Sequence, residues 1–155
     1  MGTYGSVACN CWKEGKAIPP PPNLPPEYIK VHEDGTLQFE LPSGETPLPL
    51  LMEFDTWHEE ACPHESMKII TEKLWGYRYF EEIRQRAEKK GYPALHTLLT
   101  SIENNEITRP DTARAVLVEI DKLMPRAPKE HVEFFEWLRP LMEAAVEVRN
   151  PIVWS

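Results

Sequence analysis

His58-Glu59-Glu60-Ala61-Cys62-Pro63-His64 sets two imidazoles around one thiol, and Cys9-Asn10-Cys11 supplies the other two cysteines of the chain. Thiolate and imidazole are the groups that hold zinc, and four of them close a tetrahedral structural site. The expectation is that Cys9, Cys11, Cys62 and one histidine share a single ion. On a helix, residues four apart point to the same side, which favours His58 as partner to Cys62. His64, just beyond Pro63, is then the alternative ligand or a support behind the first ring of ligands. Neither half is a Cys-x2-Cys knuckle, so the inference rests on donor chemistry and clustering. Trp12 and Trp57 adjoin the ligands and are suited to keep water away from them.

Around this site the chain divides in composition. At 155 residues, with 41% apolar content, one domain spanning 1–155 is expected, with an irregular β part over 1–66 and a helical part over 67–155. Ile18–Pro26 carries six prolines in nine residues, which dictates an extended polyproline II strap. Tyr28–His32 and Thr36–Leu41 alternate apolar and polar residues about Asp34-Gly35, the pattern of a hairpin with a two-residue turn. Asp55 reads as the N-cap of a short helix ending near Cys62. Met67–Leu74 suits either a helix or a strand.

Four helical stripes follow. They are Tyr77, Phe80, Ile83 and Ala87, ending at Gly91; Leu95, Leu98, Leu99 and Ile102 after Pro93; Ala113, Val116, Leu117, Ile120 and Leu123 with Thr108 as cap; and Val132, Phe135, Leu138, Met142 and Ala145. Pro140 should bend the last of these. His32, His96 and His131 read as surface or helix-face residues, and Pro151–Trp154 as an apolar tail that packs back. The fold class expected is therefore α+β, mainly α: a C-terminal helical bundle with a small Pro-rich β-hairpin region pinned by a structural zinc. The Pro-rich part is poor in apolar residues, and a metal cross-link offsets that deficit.

A net charge of −8 with no Lys/Arg run argues against nucleic acid as partner. No stretch approaches the ~20 apolar residues of a membrane span, and no charged and apolar leader of a secretory signal is present. Membrane attachment is expected only if Met1-Gly2-x3-Ser6 is a myristoylation signal at Gly2, with Cys9 or Cys11 acylated as well. An odd cysteine count with a Cys-x-Cys pair makes a poor disulfide framework; reduced thiols point to the cytoplasm.

Glu53, Asp55, Glu59, Glu60 and Glu65 fall in a segment without Lys or Arg, an acidic docking face for a basic partner protein. The expected function is a small acidic, non-enzymatic protein-binding domain, one form of which is an immunity-type inhibitor masking a basic toxin. A zinc-dependent hydrolase is the alternative. His58-Glu59-Glu60-Ala61-Cys62 resembles the helical His-Glu-x-x-His of zinc peptidases with cysteine in place of the second histidine. That resemblance implies Glu59, or its neighbour Glu60, as general base on a metal-bound water. Two or three thiolates make zinc less electrophilic and usually close its coordination, so no catalytic residue is assigned.

Overall fold

The structure, a computed structural model, describes residues 3–74 and 77–155. Met1 and Gly2, on which the expectation of lipidation falls, and Trp75 lie outside the described residues. The fold is α+β. Its strands are β1 (Tyr4–Ala8), β2 (Ile29–Val31), β3 (Leu37–Phe39), β4 (Lys68–Lys73), β5 (Ile107–Thr108) and β6 (Ile152–Trp154). Its α-helices are α1 (Leu48–Glu60), α2 (Phe80–Lys90), α3 (Pro93–Glu103), α4 (Pro110–Leu123) and α5 (Lys129–Val148). Two compact units result: Ala8–Ile69, and residues 3–7 together with 70–155.

In the larger unit α2 packs on α3, α3 on α4 and α4 on α5. The apolar stripes supply the reason, for Ile83, Leu95, Leu98, Leu99, Ile102, Val116, Ile120, Phe135, Leu138 and Met142 are all buried. Gly91 ends α2 at φ 75°, where its amide closes on the last carbonyls of the helix. Helix α5 continues through Pro140. His131 is a correction: it is buried, with its Nε2 3.3 Å from Glu82 and its ring against Tyr79. Val132 is only half-buried, and Phe134 and Leu141 take up the inner face instead.

Helix α3 has no side-chain cap of its own; it begins at Pro93, after Tyr92. Glu119, reaching across from α4, accepts from the amides of Ala94 (3.0 Å) and Leu95 (2.8 Å). A carboxylate at a helix N-terminus satisfies orphan amides and opposes the helix dipole. Glu119→Ala is therefore expected to lower stability by ~1–2 kcal/mol, read as a shifted urea midpoint with unchanged slope.

A four-stranded sheet, in the order β4-β1-β6-β5, accompanies these helices. β6 runs antiparallel to both neighbours, Ser6 facing Val153 and Thr108 facing Ile152. The apolar tail thus packs back as an interior strand. Thr108 does not cap α4: Arg109 holds that position, and the Thr108 hydroxyl accepts the Trp154 indole N–H at 2.9 Å. Gly5 lies beneath the same ring, and a Cβ there would run into it.

In the Ala8–Ile69 unit, β2 and β3 pair antiparallel with Val31 opposite Leu37. The His32 amide still bonds to Thr36, so the connection is three residues long rather than two. Gly35 takes φ 84° at its last position, and Asp34 accepts from the Thr36 amide and hydroxyl. This is the hairpin form in which a left-handed glycine closes the turn. α1 starts well before Asp55, which falls in mid-helix. Pro47 and Pro49 permit this because amides in the first helical turn need no partner. Phe54, Trp57 and Ala61 pack with Leu24, Ile29, Leu37, Phe39, Met67, Cys9 and Cys11 in one core.

Candidate metal centre

Two backbone bonds draw the cysteine clip and the histidine turn together. The Cys9 amide donates to Met67 (2.9 Å), and the Ile18 amide donates to Ala61 (2.7 Å). Between them Asn10–Lys16 folds into a turn closed by the Lys16 amide on Cys11, with Gly15 at φ 70°. On the other side α1 stops at Glu60, and His64 is extended at φ −83°, ψ 128°. Cys9 and Cys11 are two residues apart, and Cys62 and His64 repeat that spacing.

The ligand atoms of Cys9, Cys11, Cys62 and His64 all lie within 4.8 Å of one another. Bond lengths of about 2.3 Å to sulfur and 2.05 Å to nitrogen make the edges of a zinc tetrahedron about 3.8 Å for S···S and 3.6 Å for S···N. The structure gives 3.7 Å from Cys9 Sγ to Cys62 Sγ, 3.4 Å from Cys11 Sγ to His64 Nδ1, and 3.6 Å from Cys62 Sγ to His64 Nδ1. Three edges match to within about 0.2 Å. The group fits a structural zinc.

Burial pushes the Cys9 thiol up to about 12, against a backbone hydrogen bond from Cys11 that pulls it down. Burial also raises the Cys11 thiol. Without a cation this pocket favours thiols over thiolates, and a divalent ion supplies the charge that reverses the preference.

His58 does not join the converging donors. Cys62 lies beyond the last residue of α1, so the four-residue helical spacing is broken before it can align them. The His58 ring stacks on Phe54 at 5.6 Å, and burial lowers its pKa, favouring the neutral imidazole. Glu59 and Glu60 are exposed and likewise outside the donor group. Trp12 meets Trp57 edge-on at 5.6 Å, and both pack in the core cluster that holds Cys9 and Cys11. Ser66 and Met67, which carry no sequence signal, adopt left-handed backbone (φ 50° and 54°) that returns the chain from His64 to β4.

The five acids do not make one face. Glu53 and Glu60 are seven apart, two helical turns, and share one side of α1. Asp55 and Glu59 are four apart on another side, and Glu65 follows the helix.

Searched against protein-family models, curated proteins and solved structures, the chain matches none.

Proposed function

We propose that this chain is a non-enzymatic protein-binding domain whose Ala8–Ile69 unit is held in shape by one zinc ion on Cys9, Cys11, Cys62 and His64. One observation carries the metal half of the reading: three thiols and one imidazole converge within 4.8 Å of one another, and three of their separations are close to the edges of a zinc tetrahedron. Thiolate-rich tetrahedral sites suit zinc over harder ions. Four protein ligands fill the tetrahedron, whereas a catalytic zinc keeps a position for water. The hydrolase alternative needs His58 as ligand, and His58 stands apart from the donor group.

The binding half rests on charge. A chain of net −8, with acids concentrated along α1, suits a basic protein partner. An immunity-type inhibitor of a basic toxin is one form of this, and its support is that charge alone. Reduced thiols committed to a metal fit the cytoplasm. Among the described residues no helix is long and apolar enough to cross a membrane.

Metal content tests the reading directly. Purified protein is expected to carry one zinc per chain by elemental analysis and native mass spectrometry. Cys62→Ser should weaken zinc binding by at least ~100-fold, since it removes one of four ligands, while His58→Asn should retain full stoichiometry. Loss of zinc in the His58 variant with retention in His64→Asn would reverse the ligand assignment.

A further inference from the structure

We propose that the groove between the proline strap and α1 binds an Arg-x-x-Arg segment of a partner in polyproline II conformation. The proposal rests on the protein-binding reading above and names its site and its ligand chemistry. The groove, ≈ 440 Å³ in volume, is lined by Ile18, Pro19 and Pro21 on one side and Glu53, Thr56, Trp57 and Glu60 on the other.

Ile18, Pro19, Pro21 and Trp57 make the apolar part of its walls. The Trp57 indole N–H donates to the Ile18 carbonyl at 2.9 Å, which ties strap to helix. Trp57 is itself held by Trp12 and Phe54. Ile18 remains 58% exposed above the groove, an apolar contact waiting for a partner. Pro19 and Pro21 carry no amide hydrogen, so a bound peptide cannot pair with this wall as with a strand edge. The strap offers only carbonyl acceptors there, and side chains carry the rest of the recognition.

The groove carries two glutamates on one side of α1. Glu53 and Glu60, seven apart on α1, are about 10.5 Å apart along the helix axis at 1.5 Å per residue. A polyproline II chain has three residues per turn and rises about 3.1 Å per residue, so residues i and i+3 face the same way about 9.3 Å apart. Two cations in that register can meet both carboxylates at once. Arginine suits them better than lysine because its planar fork engages a carboxylate through two bonds. The Asn23 amide, 3.5 Å from a Glu53 oxygen, orients that carboxylate without neutralising it.

Acetyl-Arg-Pro-Pro-Arg-amide, titrated into the zinc-loaded full chain and followed by ¹⁵N NMR, tests this. The expected result is saturable shifts of the Trp57 indole N–H and of the Glu53 to Glu60 amides. Replacing both arginines by citrulline should abolish the shifts, and removing one proline should weaken binding. Glu53→Gln with Glu60→Gln should raise Kd by about fivefold or more. Asp55→Asn with Glu59→Gln removes the same charge from the same helix and should change Kd by less than ~2-fold. Equal weakening by both pairs would overturn the groove while leaving a general acidic binder standing. Equal binding of the citrulline peptide, or no shift up to ~10 mM arginine peptide, would overturn the groove outright. Zinc content measured on the same samples separates either failure from failure of the metal site.

Discussion

Stripping the metal with a chelator is expected to release amide protection throughout Ala8–Ile69 while α2 to α5 keep theirs. The first unit contains the Pro-rich strap, a pair of three-residue strands and one principal helix, and such short elements are marginal alone. Zinc contributes ~10–16 kcal/mol to folding in finger peptides with almost no core. Here Phe39, Phe54, Trp57 and their neighbours also pack, so the expected loss is smaller, about 3–6 kcal/mol on that scale. Each ligand must lose its proton to bind, so retention should also weaken as pH falls. Burial of Cys9 strengthens that competition by holding its thiol up to about 12. Hydrogen exchange followed by mass spectrometry, with chelator and with excess zinc, reads both effects. Equal protection in the two conditions would mean the ion does not support this unit.

Trp154→Ala should be the most damaging single substitution in the other unit. Trp154 is 2% exposed, lies on the interior strand β6 and donates its indole N–H to Thr108. Truncation of a buried tryptophan costs ~3–5 kcal/mol through lost burial and the cavity left behind. The Thr108 hydroxyl, 2% exposed for the residue, also loses its partner, at ~1 kcal/mol or more. Trp154→Phe retains much of the ring and should cost about 1–2 kcal/mol. Thermal melts of both variants give the order. A Trp154→Ala midpoint within a degree of the parent would show that β6 is not integral to the unit.

The sequence made some of this legible and not the rest, for physical reasons. Apolar stripes of period 3.6 located α2 to α5, because burial of one helix face repeats along the chain. Short strands were harder. β1, β5 and β6 are two to five residues long, too short for alternation to stand above chance, and their pairing is distant in sequence. The start of α1 was hidden because Pro47 and Pro49 read as breakers, although proline is tolerated in a first turn. At the metal centre, the composition of the two clips identified the cysteines and a histidine. The choice of His58 assumed that α1 continues through Cys62. His64, the alternative ligand in that reading, has the same one-residue spacing from Cys62 as Cys11 has from Cys9, and it is the histidine that joins the group. Nothing in Ser66 or Met67 announces a left-handed backbone, since neither side chain favours it.

X-ray absorption at the zinc edge of the purified protein examines the ion's surroundings without relying on any variant. The expected first shell is three sulfurs at ~2.3 Å and one imidazole nitrogen at ~2.0–2.1 Å. A shell of nitrogen and oxygen alone, or one with two imidazoles and a bound water, would contradict a closed site built from Cys9, Cys11, Cys62 and His64.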